Sequence, residues 1–503
     1  MFFLLKLTGN FSFIFCMKTS GFLKIFSAII FLALVLNGIT TGNAAQQKPN
    51  IVFILTDDLG INDLACYGRN EHRTPNIDKL ANQGIRFTAS YCALPICSPS
   101  RAAILTGKNP AKLHITTFLP GRRDCPAQKV LQPVINQQLP LEEVTLAEYL
   151  KKAGYVTGCF GKWHLGGKGF GPLEQGFDFY HPGKAVTQPS ETEGGKGEYD
   201  LTMAAIKFIE ENSDKPFFVY LAHNTPHIPY SAKPALVEKN KNAPEPVYAA
   251  LIETLDDTVG ILMKKLEEKG LSTNTIVIFA SDNGGLHVPE LEHKIITHNT
   301  PYRAGKGYLY EGGLRVPLIV RWTGKIPSGK VIDTPVVNTD FLPTLLELVG
   351  EKVPKDIDGK SFAKTLLSGK NEKGNRRLFF HFPHYTNQGG RPSGAVIDGK
   401  WKLIKYYDDD SVELYNLEND IGETTNLAEK EPAIAKRLEK ELLDWIKKEK
   451  LQTNKPNPDF NPELYRKLYV DIDTSKYNAA KSTPEMFEKI LEWRRLMDEV
   501  VRK

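Results

Sequence analysis

The sequence predicts an α/β fold in which helices cover a large, mixed but mostly parallel sheet, followed by a smaller C-terminal subdomain of antiparallel sheet and helix. Apolar, strand-like runs alternate with amphipathic helical stretches over most of the chain, which is the pattern of parallel strands joined by helices. Runs such as IVFIL are apolar at every position, as expected of strands buried on both faces. After residue 375, short strands separated by turn residues replace this alternation.

The elements of the main domain are expected in a regular order. Five strands are predicted, at 51–55, 155–160, 217–222, 275–280 and 316–322. Five helices are predicted, at 77–83, 146–153, 201–211, 247–268 and 341–348. Thr339 or Asp340 is positioned to cap the last of these helices. The polar, Gly- and Glu-rich segment 183–199 is predicted to be an exposed loop.

The C-terminal part is predicted to form a subdomain of its own. Short strands predict a small antiparallel sheet, at 378–382, 395–397, 401–407 and 412–415. A charged amphipathic helix at 432–450 follows, and the last fifty residues are expected to form a helical tail that packs back on the body. The predicted organisation is therefore a signal peptide at 1–45, a main domain with the candidate catalytic residues at 46–375, and the subdomain at 376–503.

The N-terminus has the features of an export signal. Residues 25–36 form an apolar run of twelve, preceded by Lys18 and Lys24 and followed by small residues around Ala44 and Ala45. The run is short for a membrane span, which needs about 20 residues. An uncleaved anchor is the alternative, and Met17 is an alternative start. We expect an exported protein, periplasmic or secreted, without stable membrane insertion after cleavage of the signal.

The composition and charge exclude several classes of protein. The chain has 503 residues, of which 41% are hydrophobic and 24% charged, which are ordinary values for a globular protein. The net charge of +5 includes three lysines in residues 1–45, so the remainder has 61 basic and 59 acidic residues. A body so close to neutral is not expected to bind nucleic acid, because that affinity depends on neutralising phosphates.

Polar residues follow two of the predicted strands. Asp57 and Asp58 come directly after the first strand, and Asp282 and Asn283 follow the strand at 275–280. Open α/β sheets build their sites at the carboxyl ends of parallel strands. These four oxygen-bearing side chains would suit a hard cation such as Ca²⁺ or Mg²⁺. The alternative is that they are turn formers, which commonly follow strands.

The cysteine count sets one thiol apart. Without Cys16 in the signal, five cysteines remain, and an odd number in an exported protein indicates that one has a separate role. The other four could form up to two disulfides. The sequence around Cys97 is the most distinctive of all, reading C-S-P-S-R at 97–101 and continuing to L-T-G at 105–107.

This stretch resembles the signature of the formylglycine-dependent (type I) sulfatases of the alkaline phosphatase superfamily, which begins C-x-P-S-R and continues to L-T-G. Five further motifs follow the family order, namely I-L-T-D-D at 54–58, G-K-W-H-L-G at 161–166, P-H-x-P at 226–229, S-D-N-G at 281–284 and R-A-G-K-G at 303–307. The resemblance covers nearly the whole chain after the signal. One departure is Lys108, where the family often has arginine, which keeps the charge but loses a planar set of donors.

The resemblance implies an alkaline-phosphatase-like fold and an arylsulfatase-like sulfuric ester hydrolase that acts on sugars of sulfated polysaccharides, algal or host glycans. It implies that a maturation enzyme oxidises Cys97 to formylglycine (3-oxoalanine), whose hydrate is the nucleophile. It also implies one Ca²⁺ per chain, with residue 97 among its ligands. The other implied ligands are Asp57, Asp58, Asp282 and Asn283.

The same resemblance implies roles for five further residues. Arg101, one helical turn after residue 97, would reach back to the hydrate. Lys162 and Lys306 would hold the sulfate and offset developing charge. His164 would remove the second proton of the hydrate, and His227 would protonate the leaving alcohol.

The substrate contacts and the rival functions are less defined. His287 and His384 are candidate substrate contacts, and each could equally be a structural residue.

The sulfuric ester hydrolase has two rival functions. The first rival is a phosphoric or phosphonate ester hydrolase of the same superfamily. The second is a catalytically silent protein that binds sulfated glycans. Sulfate release from a nitrophenyl sulfate, compared with phosphate release from the matching phosphate, separates these possibilities.

Overall fold

An eight-stranded sheet forms the centre of the computed structural model, which describes residues 48–184, 188–290, 297–372, 374 and 376–502. The strands of the described residues are β1 (Asn50–Asp57), β2 (Ile85–Phe87), β3 (Ser90–Tyr91), β4 (Val130–Leu131), β5 (Val156–Gly161), β6 (Phe179–His181), β7 (Phe217–Pro226), β8 (Thr275–Ser281), β9 (Leu318–Arg321), β10 (Lys330–Ile332), β11 (Val336–Val337), β12 (Arg377–Phe382), β13 (Ser393–Asp398), β14 (Trp401–Tyr406), β15 (Val412–Asn416) and β16 (Lys455–Pro456). The strand order of the central sheet is β10-β2-β9-β8-β1-β7-β5-β6.

Helices connect most of these strands and form the C-terminal tail. The α-helices of the described residues are α1 (Pro75–Gln83), α2 (Cys97–Thr106), α3 (Leu146–Lys152), α4 (Glu198–Glu211), α5 (Pro234–Lys239), α6 (Pro246–Glu268), α7 (Glu311–Leu314), α8 (Phe341–Leu348), α9 (Ala363–Ser368), α10 (Pro432–Lys448), α11 (Pro462–Tyr469) and α12 (Pro484–Arg502).

The central sheet is mixed but mostly parallel, as the sequence predicted. Strand β1 pairs in parallel with both β7 and β8, and β5 pairs in parallel with β6 and β7. Strand β9 pairs antiparallel with its two neighbours, β8 and β2, while β2 and β10 are parallel. Within this sheet, β9 therefore runs against the other seven strands.

Helices cover both faces of the sheet. Alternate side chains of a strand point to opposite faces, and β1 shows the consequence. Ile51, Phe53 and Leu55 belong to one buried cluster, which includes residues of α2, α3 and α8. Val52 and Ile54 belong to a second cluster, which includes residues of α1, α4 and α6. Burial on both faces explains why this strand is apolar at five consecutive positions.

Two local expectations need correction. The segment predicted as an exposed loop, 183–199, is buried at 194–198, and its residues 185–187 lie outside the described residues. Asp340 does precede α8, but its carboxylate does not cap that helix. It accepts hydrogen bonds from the backbone amides of Val337 and Lys360 and pairs with Arg376 instead.

The C-terminal part contains the predicted antiparallel sheet, in the order β12-β13-β14-β15. Helix α10 packs on this sheet through Leu438 and Leu442. In the tail, α11 and α12 share a buried cluster with Val288 and Tyr385. A further cluster joins Tyr308–Val316 to residues of β12–β15, so core packing crosses the proposed domain boundary at 375/376, which stays a prediction.

A buried ion network fixes the C-terminal sheet to the helix α7. Lys402 of β14 lies 2.9 Å from Glu311 and 2.8 Å from Glu423, and all three side chains are fully buried. Glu311 also pairs with Arg315 at 2.6 Å.

We expect Lys402→Met to destabilise the protein by about 3–5 kcal/mol, because it leaves two buried carboxylates without their shared ammonium. Chemical denaturation measures the change. The matched control is Lys440→Met, which removes an exposed pair with Asp444 on α10 and should leave the free energy of unfolding nearly unchanged. Equal effects of the two substitutions would contradict this account of the network.

Within the described residues, no helix combines the length and the apolar composition needed to cross a membrane. The predicted signal peptide at 1–45 lies outside those residues.

Candidate active site

The carboxyl ends of β1 and β8 bring the two polar pairs together. Thr56 lies opposite Ser281 in the parallel register, so the residues that follow each strand are neighbours. The backbone amide of Asp58 donates to Asp282 Oδ1 at 3.1 Å, and Asn283 Nδ2 donates to Asp58 Oδ1 at 2.7 Å. Asp58 adopts a left-handed conformation, with φ of 64°, which turns the chain at this point.

Helix α2 begins at Cys97 and is buried along its whole length. Its Arg101 is fully buried and ties the helix to the strand ends. The guanidinium donates through Nε to Asp282 Oδ2 at 2.9 Å and through Nη1 to the Lys162 carbonyl at 2.8 Å. Nη2 lies 3.8 Å from Asp57 Oδ1. Among the described residues, no hydrogen bond joins Arg101 to the Cys97 thiol, and the expected contact of Arg101 with the hydrate of residue 97 stays a prediction.

Two lysines lie against the paired aspartates. Lys162, directly after β5, places Nζ 2.6 Å from Asp57 Oδ2. Lys306 places Nζ 2.7 Å from Asp58 Oδ2. Burial opposes the charge of these lysines, but the neighbouring carboxylates raise the pKa of both above its usual value. Both lysines therefore stay cationic, next to the carboxylates.

His227 joins the same cluster from the end of β7. Ligand atoms of Asp57, Asp58, Cys97 and His227 all lie within 4.8 Å of one another. His227 Nδ1 is 2.6 Å from the Ile228 carbonyl, which can only accept, so Nδ1 carries a proton. Nε2 lies 3.7 Å from Asp58 Oδ2 and is the atom that faces the cluster.

His164 lies two residues after Lys162, in a left-handed conformation with φ of 58°. Its Nε2 is 2.8 Å from the Leu119 carbonyl and therefore donates to it. Nδ1 is buried and has no hydrogen-bond partner among the described residues. The structure therefore holds His164 in the tautomer that offers Nδ1 as a proton acceptor.

The carboxyl groups of the site differ in the direction of their pKa shifts. Burial opposes ionisation of Asp57, but the charges of Lys162 and the other nearby cations hold its pKa well below the usual range. Asp58 is shifted in the same direction, chiefly by Lys306. The pKa of Asp282 is instead raised to about 7, by its burial and by the charge of Asp57.

The imidazoles and the thiol are held in their neutral forms. Burial lowers the pKa of His227 to about 4 and that of His164 to about 3, with help from Lys306 and Lys162 respectively. Burial raises the pKa of the Cys97 thiol to about 12. An unmodified Cys97 is thus a poor nucleophile at neutral pH, because the thiolate is the reactive form.

Unpartnered oxygens in the cluster suit a hard cation. Asp57 Oδ1 and Asn283 Oδ1 are buried and make no hydrogen bond within the described part of the chain. Buried polar atoms are normally paired, and carboxylate and amide oxygens are the ligands that Ca²⁺ and Mg²⁺ take. The donor set therefore fits such a cation. Asp282 is placed differently, because its Oδ1 accepts from the Asp58 amide and its Oδ2 from Arg101.

The two candidate substrate histidines are buried and form hydrogen bonds with residues outside this cluster. His287 Nε2 hydrogen-bonds to the Thr474 carbonyl at 3.1 Å, and its ring lies against Tyr308. His384 Nε2 is 2.7 Å from Thr116 Oγ1. Neither histidine has a hydrogen bond, ion pair or ring contact with a cluster residue in the part of the chain that the structure describes. Their role in substrate binding stays a prediction.

Sequence reasoning missed a buried polar group beside His227. Strand β7 continues beyond the apolar run to Pro226, so His223 and Asn224 belong to it. Glu198, at the start of α4, accepts from the Asn224 amide at 2.9 Å and hydrogen-bonds to His223. Lys196 is buried next to them. The available signal was the run of polar residues between the predicted strand and the P-H-x-P motif.

Comparison with known proteins agrees with this geometry. The family model described as Sulfatase matches residues 49–351, and the model described as N-sulphoglucosamine sulphohydrolase, C-terminal, matches residues 304–449. A sulfatase of Formosa agariphila is 32% identical, over 86% of this chain and 95% of its own length. Human arylsulfatase A is 34% identical, over 73% of this chain and 77% of its own.

A solved structure extends the similarity to three dimensions. Ps i-CgsB in complex with k-i-k-neocarrahexaose superposes with a TM-score of 0.69 and 29% identity, covering 79% of this chain and 93% of its own. The sequence of this chain thus matches one family over most of its length. The same chain brings together the two strand ends, the buried helix that begins at Cys97 and the two lysines. The protein belongs to the Sulfatase family and is a sulfuric ester hydrolase.

Proposed function

We propose that this sulfuric ester hydrolase removes sulfate from sugars of sulfated polysaccharides, of algal or host origin. The observation that carries the proposal is the cluster in which Cys97, two aspartates, two lysines and His227 converge. A saccharide substrate is supported by the solved relative in complex with k-i-k-neocarrahexaose and by the match to the N-sulphoglucosamine sulphohydrolase model.

The nucleophile in this proposal is residue 97 after oxidation of its thiol to formylglycine by a maturation enzyme. The hydrate of that aldehyde supplies a hydroxyl that attacks sulfur and a second hydroxyl whose deprotonation allows the sulfate to leave. Two observations support the modification. Cys97 lies in the C-S-P-S-R sequence typical of modified cysteines in this family, and burial suppresses the reactivity of its unmodified thiol.

A calcium ion is proposed to complete the site. Asp57, Asp58, Asn283, Asp282 and residue 97 would hold it, and the unpartnered oxygens of Asp57 and Asn283 support this choice. Bound there, the ion would polarise the attacking hydroxyl and neutralise charge on the sulfate. His227 Nε2 lies among the possible ligand atoms, so its proposed role as an acid requires that it remain outside the ion's ligand set.

The chain's own cations and imidazoles have distinct proposed roles. Lys162 and Lys306 bind sulfuryl oxygens, which neutralises the charge that develops as the ester bond breaks. His164 accepts a proton at Nδ1, the atom that the Leu119 carbonyl leaves free. His227 donates a proton from Nε2 to the leaving alcohol. A bound sulfate ester raises the pKa of His227 above that of the free site, because a nearby anion favours the imidazolium.

We expect His227→Ala to reduce turnover of a sugar sulfate by about a hundredfold or more, since a sugar alkoxide leaves only with a proton. Turnover of nitrophenyl sulfate should fall much less, by less than about tenfold, because nitrophenolate is a stable leaving group. Parallel kcat measurements on the two substrates check this difference. Equal losses on both substrates would remove the assignment of His227 as the acid.

Export to the periplasm or beyond the cell is part of the proposal. It rests on the apolar run at 25–36 with its flanking lysines and small residues, and polysaccharide substrates are found outside the cytoplasm. Mass spectrometry of the mature protein, purified from its native host, should find an N-terminus near residue 45 or 46. An intact N-terminus at Met1 or Met17 would contradict cleavage.

Sulfate release from defined sulfated mono- and oligosaccharides tests the proposed function. The expected result is sulfate release from at least one of them, and faster hydrolysis of nitrophenyl sulfate than of nitrophenyl phosphate. Faster phosphate release would favour the phosphoric ester hydrolase. Binding of sulfated saccharides without any sulfate release, by enzyme with the aldehyde at residue 97, would favour a silent binding protein.

A further inference from the structure

A lysine outside the family motifs is buried beside the active site without an ion pair among the described residues. The four buried lysines among the described residues are Lys196, Lys306, Lys402 and Lys405. Lys306, Lys402 and Lys405 each lie within 3.2 Å of at least one carboxylate. Lys196 has no carboxylate within 4 Å in the part of the chain described. A buried ammonium without a partner is unfavourable for folding, which indicates that its position serves another purpose.

The carboxylate next to Lys196 in sequence is already occupied. Glu198 Oε1 accepts from the Asn224 amide at 2.9 Å and from Thr225 Oγ1 at 2.6 Å. Its Oε2 hydrogen-bonds to His223. Glu198 therefore attaches this segment to β7, and its charge acts on the Lys196 ammonium from beyond ion-pair distance.

The backbone around Lys196 is anchored to the residues that position His227. Asn224 Nδ2 donates to the Lys196 carbonyl at 3.3 Å, and the Asn224 carbonyl accepts from the His227 amide at 3.0 Å. Lys196 is thus linked through a single residue to a member of the active-site cluster. Burial lowers the pKa of Lys196. Glu198 acts most strongly in the opposite direction, and the charges of Asp57, Lys162 and Asp58 also act on it, as expected of an ammonium within electrostatic reach of the cluster.

We propose that Lys196 is a further sulfate-binding cation of the active site, whose ammonium contacts an oxygen of the sulfuryl group on the side of His227. This proposal rests on the proposed sulfatase chemistry. Lys162 and Lys306 share their charge with Asp57 and Asp58 in close ion pairs, whereas the ammonium of Lys196 is in contact with no carboxylate of the described residues. Lys196 is 2% exposed and Lys306 5%. At that depth, a compact sulfuryl group can reach the ammonium more readily than another substituent of the sugar ring can.

The test compares Lys196→Met and Lys196→Arg with the wild type, each with Ca²⁺ bound and the aldehyde at residue 97 verified. We expect Lys196→Met to lower kcat/KM for nitrophenyl sulfate at least about tenfold, the loss expected for one charge-assisted hydrogen bond. Lys196→Arg should recover most of it, since it retains a cation. The melting temperature of Lys196→Met should be unchanged or higher, because an unpaired buried charge has been removed.

Lys207→Met is the matched control, since Lys207 is exposed on α4 and its substitution changes the net charge by the same amount. It should leave kcat/KM unchanged. A Lys196→Met enzyme with kcat/KM within twofold of wild type would overturn the proposal. The proposal would also be overturned if Lys196→Met lowered both kcat/KM and the melting temperature and Lys196→Arg did not restore kcat/KM. That combination would indicate a structural role for Lys196. A wild type that releases no sulfate would instead refute the proposed function itself.

Discussion

Cys97→Ser and Cys97→Ala should both fold and lose multiple turnover, with kcat lower than that of wild type by at least about a thousandfold. A serine offers one hydroxyl, so it can take up the sulfuryl group but keeps no second proton whose removal would release it. An unmodified thiol has the same defect, and burial also raises its pKa to about 12. Turnover on a sulfated sugar, followed over many equivalents of product, measures the loss.

The state of residue 97 should determine the specific activity of every preparation. Peptide mass spectrometry is expected to find the aldehyde at position 97 in proportion to activity. Cys66→Ser is the matched control, because the structure leaves Cys66 as a free thiol and no described contact joins it to the cluster. It should keep wild-type turnover. Full activity with a wholly unmodified Cys97 would exclude the proposed nucleophile.

Removal of divalent metal should reduce activity by at least about a hundredfold, and Ca²⁺ should restore it. Asp57 and Asp58 pair with Lys162 and Lys306, and a cation held by these carboxylates would leave both lysines available to the sulfate. Exhaustive chelation followed by titration with Ca²⁺ or Mg²⁺ measures recovery, and elemental analysis reports the metal content.

The ligand set can be tested separately from activity. Asp57→Asn should weaken Ca²⁺ binding by about tenfold or more, because it replaces a charged ligand with a neutral one. Asp200→Asn, at an exposed position on α4, is the matched control and should bind Ca²⁺ as the wild type does. Unchanged activity after chelation, in protein with no detectable metal, would contradict a metal-assisted reaction.

The fold was largely predictable because hydrophobic periodicity is a local property. The helix expected at 341–348 is observed with the same bounds, and the strand expected at 51–55 is observed as Asn50–Asp57. The meeting of Asp57 and Asp58 with Asp282 and Asn283 was also predictable, because neighbouring parallel strands end at the same edge of a sheet.

Hydrophobic periodicity did not predict the structure of segments in which polar residues are buried. Strand β7 extends four residues beyond its predicted end, through His223 to Pro226. The first three of those residues are polar yet buried, because Glu198 supplies hydrogen bonds to them from another part of the chain. The same interaction buries the end of a segment that its composition indicated to be an exposed loop. A buried polar group can be recognised only when its partner is known.

The sequence by itself determined the α/β class, the family and the residue types that gather at the strand ends. Only the tertiary structure decided which of these residues contact one another. It pairs Lys306 with Asp58 across 248 residues and turns Arg101 toward Asp282. It also buries His287 against the C-terminal tail, and it buries Lys196 without an ion pair among the described residues. The physical reason is that burial and charge pairing depend on distances in space, whereas periodicity and motifs depend only on spacing along the chain.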